Sequence, residues 1–243
     1  MKAYKFIITS ILILLVSFSC EKTTVEPGPK EIKLTLKGKQ LVEADNLFGL
    51  KLFNEVLKSE EAEKNIMISP LSVSIALAMT YNGADSTTKE AMEKTLELSG
   101  LSVEEINQNY KDLIDALVGV DPKVLMCIAN SIWYRNTFEV EQNFLDVNQS
   151  YYYAEVAPLD FGNPDAVSTI NDWVAEKTHD KITEILDNIP VDAVMYLINA
   201  IYFKGIWKFE FDESETKEAP FYLSDGTTKD VPMMVQEASF NYL

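Results

Sequence analysis

The feature that most restricts the fold is the run from Val194 to Phe203, in which Asn199 is the one strongly polar residue among Met195, Leu197, Ile198, Ala200 and Ile201. A strand with one wet face alternates polar and apolar residues. A run this continuous is expected of a strand whose sheet is covered on both faces. The rest of the chain therefore has to supply covering layers, and it carries strong helix signals.

Leu50, Phe53 and Leu57 stripe one face of a helix expected to begin near Asp45. Asn65 to Ile68 reads as a short strand, followed by Ser69 as N-cap, Pro70 at the first helical position and a helix through Leu77 and Met79 that stops at Gly83. Thr87 with Glu90, and Ser102 with Glu105, have capping-box spacing and predict two more helix starts. Val124 to Tyr134 and Tyr151 to Leu159 read as strands, with a short helix around Glu141 to Val147 between them. Asn163-Pro164 is expected to open a helix carrying Val167, Ile170, Trp173 and Val174 on one face. Phe221 to Leu223 and Val231 to Val235 flank an Asp225-Gly226 turn. Helix signals and strand signals thus alternate along the body of the chain.

The charge balance removes several functions. The 243 residues carry 38 Asp+Glu against 21 Lys+Arg, a net charge of −17, with Arg135 and His179 each alone of their kind. Such a surface repels phosphate backbones, so no nucleic-acid partner is expected. A histidine-rich metal site or an Arg-clamped phosphate site is hard to build, and Cys20 and Cys127 lack metal or disulfide-framework spacing. No cofactor and no metal are expected.

Residues 1–19 have the build of an export signal: Lys2 and Lys5, then an apolar run from Phe6 to Val16, then small residues ahead of Cys20. The run is too short for a comfortable membrane-spanning helix of about 20 residues. Ser17-Phe18-Ser19-Cys20 resembles the lipobox of bacterial lipoproteins, with Ser17 where Leu is usual and a bulky Phe18. Cys20 is accordingly the expected lipidation site, residues 20–40 an anchor and tether containing Pro27-Gly28-Pro29, and residues 41–243 the folded domain. The protein is expected to be exported, either as a membrane-anchored lipoprotein or as an extracellular or periplasmic one, with a membrane reached only through Cys20.

Catalytic signatures are mostly absent, and no enzyme activity is expected. Ser86-Thr87-Thr88-Lys89 has the SxxK spacing of penicillin-recognising hydrolases, but no KTG or SDN partner accompanies it, and a capping segment with a solvated lysine explains it. His179, among Glu176, Lys177, Asp180 and Lys181, reads as an exposed helix-end residue, and Cys127 as a buried thiol packing as a small hydrophobe.

Several blocks then agree in order. Asn65 to Ser72 with Leu77, Asn82-Gly83-Ala84 and Thr88 form the first. Phe161, Ile170-Asn171, Trp173-Val174, Thr178 and Lys181-Ile182 form the second. Leu197 to Trp207, then Phe211, Thr216, Phe221, Val231-Pro232-Met233-Met234, Phe240 and Tyr242 form the third. Together they resemble the serpins over about Leu41 to Leu243. Asp180 departs from the pattern, because the family often has Gly or Asn there.

The resemblance implies a large α+β domain, with helices packed on a large central sheet that admits a reactive loop as an extra strand, trapping an acylated protease. It places Ser69, Ser72 and Asn199 in the shutter, where small polar side chains hydrogen-bond beneath the sheet, and Trp207 in the breach, where the loop first enters. The implied partner is a target protease, serine first and cysteine second, met by a monomer when the protein is full length. The alternative is a non-inhibitory serpin-like binding lipoprotein. In the family the hinge, reactive loop and last core strands lie near the C-terminus. The chain ends at Leu243, so it is expected to hold the N-terminal portion of the fold, with no reactive-centre residue and no catalytic residue.

Overall fold

The computed structural model describes residues 28–60 and 64–239. The export run at 1–19, Cys20, Phe240 and Tyr242 lie outside the described residues.

Helix α1, Leu36–Ser59, starts well ahead of Asp45, so residues 36–40 are helical rather than tether. Its cap explains the difference: Thr35 Oγ1 accepts from the Gly38 amide at 2.8 Å and donates to Asn109 Oδ1 at 2.9 Å. Leu41, Ala44 and Phe48 form its buried stripe. Gly49 is a contact residue, since a Cβ there would lie 2.8 Å from Pro70 Cβ. The lack of a side chain lets α1 lie against the start of α2, Pro70–Tyr81. Residues 65–69 take no strand pairing among the described residues, and the strand expected there is not formed.

Helix α3, Ser86–Thr95, is capped by Asp85, whose Oδ1 accepts from the Ser86 amide at 2.7 Å. Thr87 is inside the helix, so the capping box expected at Thr87 and Glu90 is displaced by the stronger acidic cap. Helix α4, Val103–Val118, has the reciprocal Ser102–Glu105 box, and Ile106, Tyr110, Leu113 and Ile114 face the core. Helix α5, Gln142–Tyr152, runs past the expected end at Val147. It terminates at Tyr153 in the left-handed region, which leaves only Glu155–Leu159 for strand β2. Helix α6, Ala166–Lys177, follows Asp165 as N-cap, slightly later than Asn163-Pro164 suggests.

Strand β1, Leu125–Arg135, pairs in parallel with β2 and antiparallel with β3, Met195–Lys204, in the order β2-β1-β3. Both faces are covered. Alternate residues Ile128, Ile132, Met195 and Leu197 join the main core with α1, α2, α4 and α5. Trp133, Tyr196, Ile198 and Ala200 point the other way and pack under Ile170, Trp173 and Val174 of α6. Trp133 and Trp173 meet edge to face at 6.3 Å. Among the described residues β3 has β1 as its one neighbour, so its second edge carries no strand. A hairpin of β4, Lys217–Tyr222, and β5, Thr228–Met233, follows. Its turn uses Gly226 at φ +82°, a conformation that favours glycine. Phe221 and Tyr222 stand exposed on it.

Among the described residues no helix is long and apolar enough to cross a membrane.

Candidate functional site

The chemistry of this chain gathers between the start of α2 and the middle of β1 and β3. Pro70 begins α2 and sets Ser72 within its first turn, facing β3. There the Ser72 hydroxyl donates to Asn199 Oδ1, and its oxygen lies 3.4 Å from the Asn199 carbonyl. Asn199 stands opposite Asn130 in the β1–β3 register. Its Nδ2 donates to Asn130 Oδ1 at 2.7 Å, and Asn130 Nδ2 donates to the Tyr152 carbonyl at 2.7 Å. Asn130 is 2% exposed, so these bonds satisfy an amide that has almost no water.

Of the residues the resemblance selects, Ser72 and Asn199 are brought together. Ser69 is exposed at the N-cap position and makes no side-chain capping bond. Trp207 lies beyond the end of β3, 64% exposed, with its ring edge-on to Phe211 at 5.3 Å. It lines a cleft of about 540 Å³ with Pro29, Asp121, Val124 and Ile206.

A second polar cluster lies deeper. The Tyr152 hydroxyl donates to Asn107 Oδ1 at 2.7 Å, and Asn107 and Asn82 exchange amide bonds at 2.9 and 3.1 Å. Asn82 Nδ2 reaches Asn148 Oδ1 at 3.4 Å, and Asn148 Nδ2 donates to the Phe144 carbonyl at 2.9 Å. Tyr152 packs at 5.8 Å against Tyr110, whose hydroxyl donates to Asp45 Oδ1 at 2.7 Å. Burial pushes the Asp45 carboxyl above the usual Asp range, while the Tyr110 hydroxyl and, less strongly, the Ser74 hydroxyl pull it back. Asp45 Oδ2 and Ser74 Oγ are buried without a completed hydrogen bond. Burial likewise raises both tyrosine hydroxyls.

The sequence signal for Asn130 is present in hindsight: an amide inside the apolar run Cys127 to Trp133 must find a partner. Asn107, Asn148 and Asp45 lie on polar helix positions that no local pattern distinguishes from solvated ones, and Asn82, in a block of the resemblance, caps the end of α2.

The other candidates disperse. Ser86 is exposed, and the Lys89 ammonium lies 5.4 Å from the centre of the Tyr81 ring. His179 is exposed past the end of α6, its ring 4.6 Å from that of Tyr202. Cys127 is a free thiol and only half-buried, less enclosed than expected, because β1 leaves the core toward Leu125. No group of acidic, His and Cys residues suited to a metal occurs among the described residues.

The family model described as Serpin (serine protease inhibitor) matches residues 43–243. Leukocyte elastase inhibitor A of Rattus norvegicus is 37% identical over 205 residues, covering 83% of this chain and 53% of its own length. A serpin-like protein of Methanosarcina acetivorans is 30% identical over 249 residues, 98% of this chain and 58% of the relative. Among solved structures, cleaved kallistatin complexed with heparin has a TM-score of 0.77 at 29% identity, over 82% of this chain and 59% of its own. The native state of tengpin, a thermophilic serpin, has a TM-score of 0.71 at 35% identity, over 83% and 50%. The chain thus spans about half the length of the relatives it matches. A match that runs through α2, β1, β3 and the hairpin, and so through both strands that Asn130 and Asn199 join, makes this chain a member of the serpin family.

Proposed function

We propose that the whole protein inhibits serine endopeptidases by inserting a cleaved reactive loop into the sheet beside β3. The observation that carries this reading is the Ser72–Asn199–Asn130 set, a polar contact that ties α2 to β3 and β1 in the middle of the sheet. Hydrogen bonds of this kind hold the sheet closed at modest cost, about 1 kcal/mol each, and can be exchanged when strands part. Cysteine endopeptidases are the second target class. Relatives that are inhibitors of leukocyte elastase make an elastase the first protease to try.

We also assign residues 1–19 to an export signal and Cys20 to lipid attachment, which would hold the domain at a membrane that its acidic surface does not favour. Two acyl chains suffice for stable anchoring at about 0.8 kcal/mol per buried methylene.

The test is to produce the whole protein from Cys20 to the end of its reading frame and mix it with a panel of serine and cysteine proteases. A protease–inhibitor band that survives boiling in detergent supports the reading. Cleavage without such a band, or no reaction at all, overturns it and leaves the non-inhibitory binding lipoprotein. Radiolabelled palmitate taken up by the wild type and not by Cys20→Ser supports the anchor, and equal labelling contradicts it.

A further inference from the structure

The two polar clusters form one continuous path. The Ser72 hydroxyl donates to Asn199, Asn199 to Asn130, and Asn130 to the Tyr152 carbonyl. The Tyr152 hydroxyl donates to Asn107, Asn107 to Asn82, Asn82 to Asn148, and Asn148 to the Phe144 carbonyl. The donors run in one sense except between Asn107 and Asn82, where Asn82 Nδ2 also donates back to Asn107 Oδ1 at 3.1 Å; neighbouring bonds in such a chain polarise one another. Tyr152 joins the halves, receiving at its backbone and donating from its ring; the residue is fully buried, which fixes the distance between those two groups.

The path also returns to the helix on which it starts. Ser72 lies in the first turn of α2, and Asn82 is its C-cap, where Nδ2 also reaches the Ala78 carbonyl at 3.3 Å. Asn148 Nδ2 adds a 3.4 Å contact to the Met79 carbonyl in the last turn. Helix α2 is thus pinned at its start to β3 and at its end to α4 and α5, with Ile75, Ala78 and Met79 fully buried between. A rigid helix held at both ends cannot slide along β3 unless both ends release. Asn107, Asn130 and Asn148 are all buried, so a broken bond leaves an amide without water to replace its partner.

We infer that Asn82, Asn107 and Tyr152 are positioning residues for the Ser72–Asn199 contact, setting from the far end of α2 how readily the sheet parts beside β3. This rests on the insertion mechanism proposed above for its consequence, but not for the coupling itself.

The experiment uses the whole protein and Tyr152→Phe, which removes a single oxygen and keeps the ring, combined with Asn199→Ala. Urea unfolding of the wild type, both single variants and the double variant reads the coupling. Independent sites multiply their effects on the unfolding constant. We expect the double variant to fall short of that product by threefold or more, and a product matched within 1.5-fold overturns the inference. Should Asn199→Ala fail to fold, Ser72→Ala replaces it with the same criterion.

The second arm compares Tyr152→Phe with Ile106→Val, a core variant chosen for an equal loss in unfolding midpoint, in the partition of cleaved inhibitor between trapped complex and free product. A loosened α2 should let insertion outrun deacylation, so the free-product share falls at least twofold in Tyr152→Phe alone. Equal shares in both variants contradict the positioning role. A wild type that traps no protease would defeat the proposed function instead, with the unfolding cycle still deciding the coupling.

Discussion

Asn199 of β3 and Asn130 of β1 face each other across the antiparallel ladder and share a side-chain hydrogen bond of 2.7 Å, at the one point where the two strands carry amides side by side. Replacing Asn199 by Ala leaves Asn130 Oδ1 and the Ser72 hydroxyl without this partner. Unfolding of the whole protein in urea should show a loss of about 1–3 kcal/mol, the cost of a buried polar group left unmade. A loss under about 0.5 kcal/mol would mean that the amide pair is not holding the strands.

Asp45 supplies a pH prediction. Its carboxyl titrates above the Asp range in the folded protein because burial penalises the charge. The folded state therefore binds a proton more tightly than the unfolded one, and this group's contribution to stability falls as pH rises through the raised value. Asn at position 45 keeps an acceptor for the Tyr110 hydroxyl and carries no charge. Asp45→Asn should gain most over the wild type at neutral pH, and the gain should shrink as pH drops toward 4. A gain that is constant or grows on acidification contradicts the assignment.

Glu155 behaves oppositely. The Lys177 ammonium, at 2.7 Å from its Oε1, is the main cause that lowers its pKa, and the Trp173 indole donates to Oε2 at 2.9 Å. The stabilisation is present above the unfolded value near 4.5 and is lost as pH falls through the depressed one. The carboxylate is largely exposed, so the effect is at most about 1 kcal/mol. Lys177→Met should remove it above pH 5 and change little near pH 3, as followed by thermal midpoints across that range. Equal shifts at both ends would contradict it.

Asp180 and His179 both sit in the left-handed region, at φ 57° and 50°. The turn closes α6 through the Asp180 amide to the Ala175 carbonyl at 2.8 Å. The departure noted in the sequence at Asp180 is therefore a residue in a conformation that suits glycine. Relief of about 1–2 kcal/mol of steric cost, offset by glycine's chain entropy of about 0.5–1 kcal/mol, gives Asp180→Gly a net gain of up to about 1.5 kcal/mol. Unchanged or lowered stability in calorimetry would count against the strain.

Legibility followed local physics. The apolar run at 194–203 announced a strand covered on both faces, and Ser102 with Glu105 announced the start of α4, because each signal is contained in a few adjacent residues. Helix α1 starts ahead of its expected beginning near Asp45: Leu36 to Gln40 carry no apolar stripe, and their order comes from Thr35 reaching Asn109, a residue far along the chain. The strand expected at 65–68 has suitable composition, but a strand also needs a partner. Ser72 and Asn199 could be picked out by resemblance. Asn82 stands in a block of the resemblance but with no role attached, and Asn107 and Asn148 carry no signal at all, because nothing in a helix sequence marks which asparagines will meet in three dimensions.

In the proposed mechanism the sheet accepts another strand beside β3. The direct measurement is the thermal midpoint of the whole protein before and after a single cut in its reactive loop. A large rise on cleavage is predicted, because the inserted loop would add a hydrogen-bonded strand beside β3 and bury new apolar surface. A midpoint that stays the same or falls would contradict insertion.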